Sequence, residues 1–437
     1  MDTGNTAFVL LSAALVMLMT PGLAFFYGGM VRVKSVLNML MMSFICLAVV
    51  TVLWVLYGFS MTFSTDAFGG LVGNLDWYGM RDIGVAELWD GYTIPVTVFA
   101  AFQLMFAIIT PALISGAVAD RTKFTAWAVF VAFWVTLVYF PIAHWVWAAD
   151  GWLFKKGVID FAGGTAVHIN AGIAALALVL VIGKRVGFKR DPMRPHNLPL
   201  VMIGAGLLWF GWFGFNAGSW LAADGVTGRA LINTQIATAA AMLGWLFLEK
   251  IRDGHLTTLG AASGAVAGLV AITPACGALS PLGSIALGLV AGAVCAWAVG
   301  LKYKLGYDDS LDVVGVHLVG GIIGSLAPGF LATGHVQSDA KGLFYGGGFD
   351  QLGKQLIGVG AVLAYSFVVT FILGTVIHKT IGFRVSEDDE VAGIDQVEHA
   401  ETGYDFATLG GSTRSPAGIG TSTGAGAAAS ADTKVDA

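Results

Sequence analysis

Eleven long stretches of apolar residues follow one another along the chain, separated by polar connections. A helix needs about 20 predominantly apolar residues to cross the hydrocarbon core of a bilayer, and these stretches have that length. Charged residues make up only 12% of the 437 residues, about half of their share in a typical soluble domain. The stretches run approximately over residues 6–28, 37–62, 93–118, 125–147, 163–183, 197–218, 229–248, 257–275, 281–301, 311–332 and 354–378. We predict an all-α integral membrane protein with eleven transmembrane helices.

The distribution of basic residues predicts how these helices are oriented. Fifteen Lys and Arg residues lie in the connections after the odd-numbered stretches, and six lie in the connections on the opposite side. Cytoplasmic connections carry the excess of Lys and Arg in membrane proteins. We therefore expect a multi-pass protein with its amino terminus outside and its carboxyl terminus in the cytoplasm. The amino terminus has no basic leader, and we interpret its apolar stretch as the first retained helix rather than a signal peptide.

Two sequence matches indicate an internal repeat. The tetrapeptide ITPA occurs at 109–112 in the third stretch and again at 272–275 in the eighth. Asp160 precedes His168 by eight residues at the fifth stretch, and Asp309 precedes His317 by eight residues at the tenth. Each match is offset by five stretches, and an odd offset gives the two halves opposite orientations in the membrane. We predict two inverted five-helix repeats and a peripheral eleventh helix.

The composition divides the chain into three parts. Residues 1–383 form the predicted transmembrane domain, and residues 384–410 form an acidic cytoplasmic tail. Residues 411–437 consist mainly of Gly, Ser, Ala and Thr, a composition that lacks the large apolar side chains needed for a packed core. We expect this last segment to be a disordered extension.

His168 and His317 are candidate functional residues inside the fifth and tenth apolar stretches. Ionisable side chains are costly inside a membrane and commonly mark a transport path or a proton relay. The inverted repeat would bring the two imidazoles together, where they would share one hydrogen bond and present their remaining polar edges to a small polar solute. The alternative is a histidine that only ties two helices together.

Other polar and aromatic residues allow two interpretations each. Asp160 can cap the fifth helix, or its negative charge can attract a cation to the outer mouth. Ser219 can donate a hydrogen bond to a solute or cap the sixth helix. The aromatic residues near the outer helix ends fit an interfacial belt, but some of them could form a cation–π cage. Phe102 and Phe106 share one face of the third helix, which is also consistent with lipid contact.

Motifs of enzymes and cofactor-binding proteins are not found in the sequence. Its glycine pairs lack the strand context of a nucleotide-binding loop, and it has neither a metal-ligand cluster nor a nucleophile elbow. Its three cysteines lie in apolar stretches without a paired motif. We therefore expect a protein that is not an enzyme and has no cofactor, metal or nucleic-acid partner.

From about residue 6 to residue 405 the chain resembles the Amt/Mep ammonium transporters, which are related to the Rhesus proteins. The most specific match is DFAGG at 160–164 followed by VHIN at 167–170. Supporting matches are PG at 21–22, FYGG at 26–29, GWFGFNAGS at 211–219 and DDSLD at 308–312. The resemblance implies a homotrimer with one pore in each subunit.

By position in these motifs, the resemblance implies an outer recruitment site for ammonium. Trp147, Phe106 and Ser219 correspond to the residues that bind the cation, and Asp160 corresponds to the acid that supports them. Phe106 and Phe215 correspond to a stacked phenyl gate below this site.

The resemblance also implies a hydrophobic pore beneath the gate. His168 and His317 correspond to its paired histidines. Trp212 and Phe102 would line the outer vestibule, and Thr273 would lie near the pore.

A further match lies in the cytoplasmic tail. The resemblance implies that this motif couples subunits and meets a PII-type nitrogen signalling protein. Its residues here are Glu390, Gly393, Asp395, His399 and Tyr404.

These matches imply ammonium uptake across the plasma membrane as a nitrogen supply, with methylammonium as a related substrate. The cation would be dehydrated at the aromatic site and lose a proton near His168, and ammonia would cross past His317. Potassium would be excluded because it has no proton to give up. An ammonium sensor that acts through the tail and a Rhesus-like neutral gas channel are the alternative functions.

Overall fold

The computed structural model describes residues 1–334 and 338–404, and within them it is almost entirely helical. Ten helices are long and apolar enough to cross a membrane, and a shorter apolar helix of 15 residues completes the eleven that the sequence predicts. They are α1 (Thr3–Met30), α2 (Val33–Phe63), α3 (Val96–Val118), α4 (Phe124–Lys155), α5 (Gly164–Ile182), α6 (Leu198–Gly218), α7 (Gly225–Asp253), α8 (Thr258–Ile272), α9 (Pro281–Leu305), α10 (Val314–Leu331) and α11 (Asp350–Thr380).

Short helical turns occupy parts of the connections and of the tail. They are Tyr78–Met80, Leu343–Tyr345, Glu387–Ala392 and Asp395–His399. The first compact unit of the chain spans Met1–Gly403, and a second begins at Tyr404. The predicted extension at 411–437 lies outside the described residues.

Side-chain caps fix where several helices begin. The first backbone N–H groups of a helix have no partner within the helix, and a polar side chain just before the helix can accept from them. Such caps precede α1, α6, α7, α8 and α9, and they are provided by Asp2, Asn197, Asp224, Thr257 and Ser280.

The beginnings of α5 and α10 share one capping arrangement. Asp160 accepts hydrogen bonds from the backbone N–H groups of residues 163–166. Asp309 accepts from the N–H groups of Val313 and Val314 at 3.1 and 2.7 Å. Both helices then start with a wide π-helical turn that carries the histidine. The eight-residue spacing in the sequence therefore corresponds to equivalent local structures in the two halves.

Two glycines, each four residues after its histidine, bring α5 and α10 into contact. A Cβ atom on Gly172 would lie 2.4 Å from the backbone nitrogen of Leu318, and one on Gly321 would lie 3.0 Å from Ile169 Cγ1. Leu318 and Ile169 each follow a histidine directly. The contact is therefore reciprocal, as expected for two halves related by a pseudo-twofold axis.

Helices α1 and α6, the first members of the two halves, also pack through glycines. A Cβ on Gly204 would lie 2.3 Å from the backbone nitrogen of Phe26, and one on Gly29 would lie 2.6 Å from the carbonyl oxygen of Asn197. Small residues permit this close approach of backbones between membrane helices.

Helix α11 packs at the periphery of the bundle, as predicted. It has the smallest buried share among the ten long helices, and it contacts the bundle along one side. Trp134 donates its indole N–H to Thr370 at 2.9 Å, and Gln355 donates to the carbonyl oxygen of Ile159 at 2.8 Å.

The end of the bundle that carries Arg32, Arg121, Arg185, Lys302 and Arg384 is called the basic face below. Here Asp308 accepts two hydrogen bonds from the Arg185 side chain, at 3.0 and 2.8 Å. Burial lowers the pKa of Arg121 to about 10, although Asp308 opposes this shift. Burial alone would raise the pKa of Asp308, but Arg185 and Arg121 hold it below its ordinary value. Both acid and guanidinium groups are therefore charged at neutral pH and join three connections of the bundle.

The reciprocal glycine contact predicts that Gly172→Ala destabilises the protein. The added methyl group would collide with backbone rather than with a flexible side chain, and overpacking of this kind costs about 1–3 kcal/mol. We expect a lower midpoint of thermal unfolding in detergent, measured by tryptophan fluorescence. Gly206→Ala is the control because a Cβ on Gly206 meets no atom within 4 Å. Equal midpoints for the two variants would contradict the proposed contact.

Candidate transport pore

A cavity of about 420 Å³ opens at the end of the bundle opposite the basic face and is called the vestibule below. Its walls are mainly aromatic side chains and carboxylates. Four predicted residues lie in its lining, and they come from α3, α4, the position directly after α6 and the connection before α5. They are Phe106, Trp147, Asp160 and Ser219.

Two phenyl rings close the vestibule at its base. The ring centroids of Phe106 and Phe215 are 4.2 Å apart, with 37° between the ring planes. Trp147 meets Phe106 edge to face at 5.8 Å. Both phenylalanines are buried, but only Phe106 reaches the cavity surface. The two predicted gate residues therefore pack against each other, and their rings separate the vestibule from the protein interior.

The structure places Asp160 as the cap of α5 as well as in the vestibule wall. Besides the four backbone N–H groups, its carboxylate accepts a short hydrogen bond from the hydroxyl of Thr165. Its own carbonyl oxygen accepts the indole N–H of Trp147 at 3.1 Å. The capping interpretation is thus present in the structure, and the residue also lines the vestibule. The side chain fixes both the start of α5 and the position of Trp147.

The hydroxyl group of Ser219 does not donate to the vestibule, which was one of its two expected roles, but bonds the end of α6. It donates its proton to the carbonyl oxygen of Phe215 at 2.8 Å, because this carbonyl lies one turn earlier at the end of α6. The serine therefore does not have its proton free for a solute. Its oxygen remains able to accept a hydrogen bond from an N–H group in the vestibule.

The two histidines meet below the phenyl rings. The Nδ1 atoms of His168 and His317 are 3.3 Å apart, and the ring planes differ by 18°. Both side chains are buried, at 1% and 3% exposure. One Nδ1 must carry a proton for this hydrogen bond to form. The Nε2 atom of His168 has no hydrogen-bond partner in the described part of the chain, so it is a free polar edge in an apolar surrounding.

Trp212 and Phe102 do not line the vestibule, which corrects the prediction. Trp212 is buried one turn below Phe215 and stacks on His168 with centroids 5.4 Å apart. Phe102 is fully buried and packs beside Phe106 and Gly218, where the missing side chain leaves room for its ring. Both residues lie on the expected helices, but neither ring is part of the cavity wall.

Thr273 is connected to the histidine pair by Trp212, the ring that stacks on His168. It accepts the indole N–H of Trp212 at 2.8 Å and donates to the carbonyl oxygen of Leu269 at 2.7 Å. The threonine therefore holds the ring that stacks on His168.

On the other side of the histidine pair, a narrow cavity touches His317. It opens among Phe26, Tyr27, Met30, Ser263, Val266 and Asp312.

Several vestibule residues were missed in the sequence. Trp77, Trp89 and Tyr92 come from the connection between α2 and α3, and Gln103 lies within α3. The tryptophans of this connection lie outside the apolar stretches, so a search restricted to helices overlooks them. Their density in a polar connection is the signal that could have located them.

Comparison with known proteins identifies the family. Residues 7–404 match the model of the Ammonium Transporter Family. The ammonium transporter of Mycobacterium tuberculosis is 58% identical over 95% of this chain and 93% of its own length. The crystal structure of Saccharomyces cerevisiae Mep2 has a TM-score of 0.82 and 36% identity, covering 89% of this chain and 88% of its own. This chain belongs to the ammonium transporter family. A solved Sensor Amt Protein has a TM-score of 0.83 and 29% identity, covering 91% of this chain and 98% of its own.

The tail residues predicted from the family motif lie against the basic face. Glu390 is fully buried and accepts from the backbone N–H of Val186 and from Arg384, at 2.8 and 2.6 Å. Asp395 accepts from the N–H groups of Leu37 and Asn38 near the start of α2, at 3.0 and 2.8 Å.

Two further tail residues, His399 and Gly393, also contact the basic face. The Nε2 atom of His399 lies 3.0 Å from the side-chain oxygen of Asn38. Gly393 adopts a positive φ of 126°, and a Cβ there would lie 2.9 Å from Cβ of Lys34. These residues therefore fasten the tail to the ends of the helices within one chain. Tyr404 is the first residue of the second unit.

The capping role predicts a large effect of Asp160→Ala. The substitution leaves buried N–H groups without an acceptor, and we expect a loss of about 2 kcal/mol or more. Asp224→Ala is the matched control because this exposed cap serves α7 with two hydrogen bonds. Its loss should be about 1 kcal/mol. Thermal unfolding in detergent measures both, and an equal or smaller effect at Asp160 would contradict the assignment.

Proposed function

We propose that this protein transports ammonium across the plasma membrane for nitrogen uptake, through one pore in each subunit of a homotrimer. The observation that carries the proposal is an aromatic and carboxylate-lined cavity closed by two phenyl rings over a buried histidine pair. Membership of the ammonium transporter family supports the identity of the solute. The excess of Lys and Arg at the basic face supports its placement in the cytoplasm.

In the first proposed step, the vestibule binds the ammonium ion. The faces of Trp147 and Phe106 attract a cation through their π electrons. The Ser219 oxygen accepts one N–H hydrogen bond, since its own proton is engaged by Phe215. The negative charge of Asp160 favours a cation in the same cavity without binding it directly. These interactions replace part of the hydration that the ion loses.

In the second step, the ion releases a proton and crosses as ammonia. A bare charge is costly in the apolar interior below the phenyl rings, whereas a neutral solute is far less so. The imidazoles of His168 and His317 offer hydrogen bonds at this depth without adding a fixed charge. Potassium has no proton to lose, and the full cost of its charge opposes its passage. The proton either follows along the imidazoles or remains behind.

The alternative is an ammonium sensor. The similarity to the solved Sensor Amt Protein favours this function, and the tail at the basic face would be the part that meets a cytoplasmic partner such as a PII-type protein. Ammonium flux through the purified protein in vesicles separates the two functions. Uptake that saturates with concentration supports a transporter, and binding without flux supports a sensor.

The proposed recruitment site predicts a weaker apparent affinity in Trp147→Leu. Loss of a cation–π contact worth about 0.5–2 kcal/mol raises the half-saturation concentration about 2- to 30-fold. Methylammonium uptake by proteoliposomes measures the change. Trp297→Leu is the control because Trp297 is 54% exposed on α9 and lies outside the vestibule. An unchanged half-saturation in Trp147→Leu would count against the site.

The histidine pair predicts loss of transport when both rings become apolar. In the double variant His168→Leu, His317→Leu the solute loses the hydrogen bonds of both imidazoles, and we expect methylammonium uptake to fall at least about tenfold. His255→Leu is the control, since this exposed histidine lies in the connection between α7 and α8. Undiminished uptake by the correctly folded double variant would exclude a role of the pair in the proton step.

A further inference from the structure

A second cavity, of about 290 Å³, lies on the basic face where the connection between α5 and α6 meets the segment after α11. It is called the basic cavity below. Four of its lining side chains are basic and one, Glu387, is acidic. The basic ones are Lys184, Arg185, Arg190 and Arg384. The volume is about ten times that of one water molecule, which is enough for a phosphate group.

Two of these four cations already have carboxylate partners. Arg185 is neutralised by Asp308 and Asp120, at 2.8 and 3.2 Å. Arg384 donates from Nη2 to Glu390 at 2.6 Å, but its Nε atom is buried and has no partner among the described residues. This edge of its guanidinium group is therefore unpaired. A planar guanidinium group matches the geometry of carboxylate and phosphate oxygens.

The remaining basic side chains form no ion pair within the described ranges. These are Lys184, Arg190 and the neighbouring Lys189. The ammonium groups of Lys184 and Lys189 converge, because each lies 3.8 Å from the position of a Cβ on Gly306. Two exposed carboxylates are nearby, those of Glu387 and of Asp191, which faces Gly187. The unpaired cations still outnumber them, so the local charge is positive.

The position of the basic cavity matches the surface of a bilayer. Lys184 lies two residues after the end of α5, and Arg384 lies four residues after the end of α11. Two exposed apolar side chains are near its lining residues: Tyr303 stacks on Phe188 at 5.9 Å and is 54% exposed, and Ile381, three residues before Arg384, is 51% exposed. Basic pockets at the cytoplasmic ends of membrane helices bind anionic headgroups.

We propose that the basic cavity binds a phosphate group, supplied either by the headgroup of an anionic lipid or by a soluble phosphate. Lys184 and Arg190 provide the positive charge, and the guanidinium group of Arg384 adds a third cation to the lining. Occupation would neutralise the converging ammonium groups beside the buried Glu390 contact of the tail. This binding is independent of what passes through the pore.

The test compares the unaltered full-length protein with two double variants. In the first, Lys184 and Arg190 are both replaced by Gln (Lys184→Gln, Arg190→Gln). In the second, the charges are conserved (Lys184→Arg, Arg190→Lys). Lys379→Gln is the matched control, because Lys379 is exposed at the end of α11 and lies outside the basic cavity. In one arm, native mass spectrometry measures retention of phosphatidylglycerol and of phosphatidylcholine. In the other, inorganic phosphate is titrated in detergent while thermal unfolding is followed.

We expect the Gln double variant to bind phosphatidylglycerol about tenfold more weakly or worse, with phosphatidylcholine unaffected. The charge-conserving variant and Lys379→Gln should bind it like the unaltered protein. The same dependence for inorganic phosphate alone would identify the soluble source and also support the site. Equal affinity of the Gln double variant and the unaltered protein for both probes would overturn the proposal. An equal loss in Lys379→Gln would overturn it as well, since it would indicate a non-specific surface charge.

Discussion

The hydrogen bonds that the carboxylate of Asp160 accepts from the start of α5 are the interaction on which the rest of the pore depends. A membrane interior provides no water for unpaired backbone groups, so a helix that begins at depth needs an internal acceptor. By capping α5, Asp160 fixes the turn that leads to His168, and its carbonyl oxygen fixes Trp147. Asp309 does the same for α10 and His317 from the opposite end of the bundle. The two buried helix starts therefore place both histidines in contact with each other.

The chemistry proposed for the pore follows from this placement. The vestibule combines negative charge with aromatic faces, which suits a cation that has lost part of its water. Beneath the ring pair of Phe106 and Phe215 lie two stacked imidazoles, and the Nε2 atom of His168 is a free polar edge there. A neutral, hydrogen-bonding solute fits this sequence of environments, whereas a bare cation fits only the first of them. The order of environments, rather than a fixed binding residue, would then determine selectivity.

Much of the fold follows from the sequence because the bilayer imposes a simple length rule. The eleven apolar stretches correspond to the eleven helices, and the shortest, Thr258–Ile272, lies within the predicted range 257–275. The helix bounds shift by several residues where polar caps such as Asp224 extend a helix beyond its apolar part. The equal Asp-to-His spacing anticipates that His168 and His317 approach each other, since a repeated local structure places equivalent residues at equivalent depths. Rotation about a helix axis is harder to predict: Trp212 and Phe102 are on the expected helices but face the interior. Trp77 and Trp89 were missed because a long polar connection lacks the regular spacing of apolar residues that reveals how a helix is placed.

The central claim is that the solute crosses the apolar pore without its charge. A dual-tracer experiment on the unaltered protein in vesicles tests this most directly, with labelled methylammonium and labelled rubidium supplied together at equal concentration. Rubidium resembles ammonium in charge and size but has no proton to release. The account predicts saturable methylammonium entry while rubidium stays at the level of protein-free vesicles. Rubidium entry at a rate comparable to that of methylammonium would contradict it.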